Sequence, residues 1–212
     1  RSVWRDPVRG TYRGHEIWSM GPPSSGGVLL VQILNMLEPF NLAELGWGSA
    51  ATVHLMVEAE RRAYADRAEH LGDPDYYAVP QAALTDKAYA SRRFSDFDPD
   101  RVAASDAIGP GDTNLPTESR ETTHFSVMDG DGMMVAFTTT LNSGYGNKIV
   151  VPGTGILLNN EMNDFSIRRD TPNQFDLIGR DANAIEPGKR MLSSMTPTIV
   201  TKDGEPLLIT GS

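Results

Sequence analysis

"TTHFSVMDGDGMMVAFTTTLN", residues 122–142, sets two runs of β-branched and aromatic residues on either side of a DGDG turn. Such residues favour strands, and Asp-Gly between two such runs signals a hairpin. The stretch predicts an antiparallel pair, "TTHFSVM" against "MMVAFTTTLN". A second hairpin is predicted in "PTIVTKDGEPLLIT", turning at Asp203-Gly204, and a short strand pair in "GTYRGHEIWSM". "ILLNNEMNDF" reads as an apolar strand leading into a polar turn.

Helices are expected upstream. In "GVLLVQILNMLEPF", Val28, Leu29, Val31, Leu34 and Leu37 fall near helical spacing and the run is apolar on most sides, which predicts a buried helix. The loop before it, "GPPSSGG", ends in a serine suited to capping it, and without the lysine of a P-loop its "SSGG" is a cap rather than a phosphate cradle. A second helix is predicted from Ser49 to a stop at Gly72. Val53, Met56, Val57, Ala63 and Leu71 suit its inner face, and its Glu–Arg pairs read as a solvated face with no chemistry. Residues 74–121 read as irregular apart from a short helical "DKAYASRRF". Their polar end, about 92–121, is expected to be an exposed connector, where chains are cut. Helices before this connector and strands after it give an α+β fold, with antiparallel strands and helices stacked on them.

Composition narrows the functions. At 212 residues the chain can bury roughly 70% of its unfolded surface. With 19 basic against 28 acidic residues, scattered and with no basic patch, nucleic-acid binding is not expected. The absence of cysteine excludes disulfides, thiolate metal sites and a cysteine nucleophile. No apolar run approaches the roughly 20 residues of a membrane span, and no signal peptide is visible. The chain opens at "RSVWRDPVRG" without Met and stops at "LLITGS" just after an apolar strand, so a segment of a longer protein is expected.

The junction "ESRETTHFSV", residues 118–127, carries the chemistry. If the chain were cut between Glu121 and Thr122, Thr122 would hold a hydroxyl and a free α-amine on one residue. A threonine hydroxyl needs a base to become a nucleophile. An α-amine, with an ordinary pKa of about 8, can be that base. Thr140 and Asn142, two apart, would share a face beside Thr122 in the paired hairpin. Glu161 and Asp164 are carboxylates suited to an ammonium group, and Ser193 and Ser194 are neutral donors suited to a carboxylate. Together these groups would read an amino-acid head group. Thr123 is expected to be structural, and His124 to be a strand histidine with a satisfied hydrogen bond.

"TTHFSVMD", "TTTLNSGYG", "GILLNNEMNDFS", "KRMLSSMTPTIV" and "LLITGS" resemble the start of the small subunit of γ-glutamyltranspeptidases. "PPSSGG" and "AERRAYADRAEHLGDPDY" resemble the end of that family's large subunit. The resemblance implies an N-terminal-nucleophile hydrolase, part of an αββα sandwich. The precursor would cleave itself at Glu121–Thr122, making 1–121 the end of a large subunit and 122–212 the start of a small one. It further implies transfer of a γ-glutamyl group from glutathione or a related donor to water, an amino acid or a peptide, with no cofactor and no metal. Thr140 matches the threonine that hydrogen-bonds the nucleophile. Asn142, Glu161 and Asp164 match residues around the donor's α-amine, and Ser193 and Ser194 those at its α-carboxylate. "FSIRRDTPNQFDLIG" resembles the lid loop, with Phe175 where some relatives have tyrosine. The family's oxyanion-hole glycine pair, after "TGS", and a carboxylate-binding arginine early in its large subunit are expected outside this stretch, so the stretch alone should lack full activity. Family members in bacteria are usually exported, so a periplasmic or secreted location is expected. The alternatives are a related acylase, such as a cephalosporin acylase or a poly-γ-glutamate enzyme, and a non-catalytic homologue.

Overall fold

A hairpin opens the fold: β1 (Val8–Tyr12) pairs antiparallel with β2 (His15–Ser19), as "GTYRGHEIWSM" predicts. The computed structural model describes residues 2–109 and 122–212. Glu121 and the end of the expected connector lie outside the described residues. The helices follow in order: α1 (Gly26–Leu37), a single turn α2 (Leu42–Leu45), the long α3 (Ala50–His70), another turn α4 (Gln81–Leu84) and α5 (Lys87–Arg93). Two further hairpins complete the chain, β3 (Thr122–Met128) with β4 (Met134–Thr140) and β5 (Thr198–Lys202) with β6 (Glu205–Thr210). At the second of these turns Asp203 and Gly204 both take positive φ, at 52° and 82°, which suits a tight hairpin.

β2 also pairs antiparallel with β5, so the first and last hairpins form one sheet in the order β1-β2-β5-β6. Strand alternation then assigns its faces. Gly10 and Ile17 face α1, and a Cβ on Gly10 would stand 2.6 Å from a methyl of Val31. Glycine at that position is what lets the helix lie close on the sheet. On the other face, Trp18 and Ile199 share a groove with Ala136 of β4. The result is three layers, helices on a four-stranded sheet on a two-stranded sheet, and the fold is α+β as expected. The outer face of β3–β4 carries Phe125 stacked on Phe137, with ring centroids 4.8 Å apart, and both rings are half exposed.

The core runs from Val8 and Ile17 through Val28, Leu29 and Val31 of α1 to Leu55, Ala59 and Ala63 of α3. Several expectations change here. Ser49 caps α3 as expected, accepting from the Thr52 N–H at 3.1 Å, but Ser25 makes no capping bond at α1 and its hydroxyl donates instead to the Ser193 carbonyl. The inner face of α3 is only partly the one expected: Ala63 and Leu71 are buried as expected. Val53 and Met56 are exposed, while Glu58, Arg62, Asp66 and Arg67 are buried along the Ala59–Ala63 stripe. Glu58, Arg62 and Asp66 are tolerated because they are paired, and Arg67 donates to serine hydroxyls. Arg62 donates to Glu58 at 2.6 Å and to Asp96 at 2.8 Å, and Asp66 accepts from Gln32, Tyr89 and Arg93. The described part of the expected connector is not exposed throughout either, since Phe94 and Ile108 are buried. "ILLNNEMNDF" forms no strand beyond one bridge between Val150 and Leu157, and its end is a 3-10 turn, Glu161–Asp164. Among the described residues, no helix is long and apolar enough to cross a membrane.

Gly72 lies just past the end of α3, but the reason for glycine there is not a helix cap. Leu71, the residue after the helix, is extended, and a Cβ on Gly72 would sit 1.9 Å from the Ala182 carbonyl oxygen. Both groups are backbone, so neither yields easily. Gly72→Ala is therefore expected to destabilise the protein by about 1–3 kcal/mol, read as a lower thermal midpoint. An unchanged midpoint would show that the 182–183 backbone shifts freely.

Candidate active site

Thr122 opens β3, Thr140 closes β4, and the register sets them directly opposite one another. Both line a cleft of about 520 Å³, counted with its open mouth. His124, two residues along, is bonded within the hairpin, to Thr138 Oγ1 at 2.7 Å and Ser126 Oγ at 3.0 Å, as a structural strand histidine would be.

Asn142 reaches the cleft by a different route from strand alternation. β4 ends at Thr140, and Asn142 adopts φ +74°, a left-handed conformation that Asn tolerates better than most residues. Its backbone N–H donates to Thr140 Oγ1 at 2.8 Å, and its Nδ2 donates to Asp164 Oδ1 at 3.0 Å. A turn, rather than the pleat, aims this side chain.

Asp164 ends the 3-10 turn and lines the cleft. Burial raises its carboxyl from 3.8 to about 6, against the opposing pull of the Asn142 hydrogen bond and the Arg67 charge. Glu161 opens the same turn but is not part of the cleft lining. Burial, and then the Asp164 charge, push its carboxyl above the ordinary range. Of the residues expected to read an amine, Asn142 and Asp164 are brought together at the cleft, and Glu161 shares the turn of Asp164 without lining the cleft.

Ser193 and Ser194 lie on an irregular segment, several of whose backbone donors are taken up. Arg190 N–H donates to Asp73 at 2.9 Å, Leu192 N–H to the Asn183 side chain at 3.0 Å and Ser193 N–H to the Pro23 carbonyl at 2.8 Å. Asp73 is fully buried and also takes both ends of the Arg190 fork, at 2.9 and 3.0 Å. Burial works to raise its carboxyl, but the Arg190 hydrogen bonds outweigh that and hold it below the ordinary range. Ser24 and Ser25, from the loop before α1, donate to the carbonyls of Met195 and Ser193 at 2.6 and 2.9 Å. Thus "PPSS" and "GDPD", both upstream of the junction, hold the serine pair downstream of it.

The expected lid loop contributes Phe175 and Leu177 to the cleft. Asn173 Oδ1 accepts from the N–H groups of both, at 2.9 and 3.1 Å, and Asn163 accepts from Gln174 N–H at 2.8 Å. The first two bonds hold the loop's own shape, and the Asn163–Gln174 bond ties it to the turn that carries Asp164.

Arg67 is a charged cleft residue that the sequence reading does not single out, as are the cleft residues Leu192, Met195 and Ser212. The Glu–Arg pattern of α3 reads as a solvated face, yet Arg67 is buried, lines the cleft, and donates to Ser25 Oγ at 3.0 Å and Ser194 Oγ at 3.3 Å. A signal for it existed. Arg67 follows Ala59 and Ala63 at i+8 and i+4, on the small-residue stripe that meets α1.

The raised Asp164 carboxyl has a consequence for stability. In the unfolded chain it would release its proton near 3.8, and in the fold near 6. Its contribution is therefore fully present below about pH 4 and is lost as pH rises through 6, by on the order of 3 kcal/mol. Asp164→Asn should remove that dependence and make the protein more stable than the wild type at pH 7. Denaturant unfolding of both forms between pH 4 and 7 measures it, and parallel curves for the two would contradict it.

A family model described as gamma-glutamyltranspeptidase matches residues 1–212. The glutathione hydrolase proenzyme of Escherichia coli (strain K12) is 53% identical over 212 residues, covering 100% of this chain and 36% of that protein. The Acylase ACY 1 proenzyme of Pseudomonas sp. (strain SE83) is 42% identical over 200 residues, covering 94% of this chain and 33% of that protein. Among solved structures, a cephalosporin acylase from Bacillus halodurans superposes with a TM-score of 0.73 at 26% identity, covering 98% of this chain and 34% of that one. The chain thus spans about a third of the length of the curated relatives it matches.

Proposed function

The chain belongs to the gamma-glutamyltranspeptidase family, and from that premise we propose that its parent protein is an exported, self-processing γ-glutamyl hydrolase and transferase with Thr122 as nucleophile. Its layers are part of the sandwich of the N-terminal-nucleophile hydrolases. One observation carries the reading: Thr122 stands opposite Thr140 in a cleft that also holds the Asn142–Asp164 pair and the Ser193–Ser194 pair. Glu121, on the other side of the proposed cut, lies outside the described residues.

In this reading, cleavage before Thr122 yields a large subunit ending at Glu121 and a small subunit beginning at Thr122, which stay together as a heterodimer. Cleavage also frees the Thr122 α-amine. The amine takes the hydroxyl proton as Oγ attacks the γ-carbonyl carbon of glutathione or a similar donor. The proton then passes to the departing amine nitrogen, and the C–N bond breaks to leave a γ-glutamyl ester on Thr122. Water or the amine of an acceptor amino acid or peptide attacks that ester, and Thr122 Oγ recovers its proton. Thr140 steadies the nucleophile from across the hairpin. Asn142 and Asp164, with Glu161 on the same turn as Asp164, face the donor's ammonium group, and Ser193 and Ser194 donate to its carboxylate.

The likeness to the two acylases favours one rival, in which the same threonine opens an amide whose acyl group has no α-amine. The paired head-group sites argue against it. A site built to bind both charges should process a glutaryl amide at least roughly a hundredfold more slowly than the matching γ-glutamyl amide. Comparable rates would favour the acylase.

Thr122→Ala in the full-length protein is expected to leave a single uncut chain and to lower γ-glutamyl amide hydrolysis by at least about a thousandfold. Intact-mass measurement and an amide-release assay report the two effects separately. A processed, active alanine variant would sink the nucleophile assignment.

A further inference from the structure

We propose that Arg67 is a positioning residue for donor binding, acting through Ser194 by fixing that hydroxyl as a hydrogen-bond donor to the donor's α-carboxylate. The inference rests on the functional reading above and concerns a residue on α3 rather than one of the matched site positions. Its basis is the direction of each hydrogen bond. A guanidinium has donors and no acceptor, so the Ser194 oxygen must accept in its 3.3 Å contact with Arg67 Nη2. A hydroxyl has one proton. With its oxygen facing a cation, that proton is directed away from Arg67, and Ser194 lines the cleft.

Ser25 sets the guanidinium in place. Its own proton is committed to the Ser193 carbonyl at 2.9 Å, so its oxygen accepts from Arg67 Nε at 3.0 Å. The fork is thereby held at two points, on a helix anchored one residue earlier by the Asp66 contacts with Gln32, Tyr89 and Arg93. Ser193 is arranged in the same sense, because its hydroxyl oxygen accepts from the Met195 N–H at 3.2 Å. Both serines therefore spend acceptor capacity on the protein and keep a proton to give. A carboxylate only accepts, so this polarity selects for it. A charged donor behind Ser194 also polarises its O–H and strengthens the bond it makes in front.

The test uses the full-length, processed protein and two donors, L-γ-glutamyl-p-nitroanilide and 4-aminobutyryl-p-nitroanilide, which is the same amide without the α-carboxylate. Arg67→Met should raise KM for the glutamyl donor roughly tenfold to a hundredfold, with kcat within about threefold. It should lower kcat/KM for the decarboxylated donor by a factor at least about fivefold smaller, the remainder coming from the Arg67 charge on Asp164. Equal losses on both donors would make Arg67 merely structural and overturn the proposal, as would an unchanged KM for the glutamyl donor. If Arg67→Met does not accumulate as folded protein, Arg67→Lys carries the test, since lysine keeps the charge but lacks the fork that reaches both hydroxyls. It should show the same donor-dependent rise in KM, smaller in size, and a donor-independent change overturns the proposal. Wild-type protein that fails to hydrolyse the glutamyl donor would refute the functional reading itself. An active wild type with an indifferent Arg67 would refute only this inference.

Discussion

The antiparallel pairing of β2 with β5 is the constraint on which the rest of the structure depends. It joins residues 16–19 to residues 198–201 across most of the chain, and so makes one sheet of the first and last hairpins. Closing so long a loop has an entropic cost that grows only slowly with length, and the buried face under α1 offsets it. Once that seam forms, the segment just before β5 has to run beside the loop just before α1. Ser193 then bridges to Ser24, and the serine pair arrives where the opening loop can hold it.

Around this seam the fold accepts a cost that a purely apolar interface would avoid. Glu58, Arg62, Asp66 and Arg67 are buried on α3 among alanines. Removing such charges from water is expensive, and each carries its own compensation in a short, directed contact. The alanines leave room for these long side chains, which is why α3 is rich in charge on the side that meets the core. A pairing network of this kind holds atoms in fixed directions, as dispersion contacts between methyl groups would not. Directed donors are what a site needs if it is to distinguish a carboxylate from an ammonium group.

Electrostatically the cleft is divided. Asp164, with a carboxyl lifted by burial, forms an acidic side. The serine pair, backed by Arg67, forms a donor side. Thr122 and Thr140 stand at the end of the β3–β4 hairpin, in the same cleft as both. In the proposed reading, that arrangement would let a chain with a net charge of −9 present a local environment for an anionic group.

The hairpins were legible because their causes are local. Asp-Gly turns between β-branched runs decide pairing and register within about twenty residues, and they set Thr122 against Thr140 with no help from elsewhere. The motif resemblance likewise named Asn142, Asp164, Ser193 and Ser194 by position in the chain. The phase of α3 was only partly legible: Ala63 and Leu71 are buried as expected, but Val53 and Met56 are apolar yet exposed, while Arg62 and Arg67 are charged yet buried. Hydrophobic periodicity assumes that charge lies outside, and pairing can reverse that. The strand expected in "ILLNNEMNDF" failed for a related reason, since its side-chain pattern suits a strand but it finds only an isolated bridge. So the sequence by itself determined which groups the protein would bring to its chemistry, because residue type and short-range turns are written locally. Only the tertiary structure decided that Ser25 would hold rather than cap, that Asn142 would be aimed by a left-handed turn, and that Arg67 would stand behind Ser194. Each of these depends on which distant donor or acceptor is near, and that is set by the closing of the β2–β5 seam.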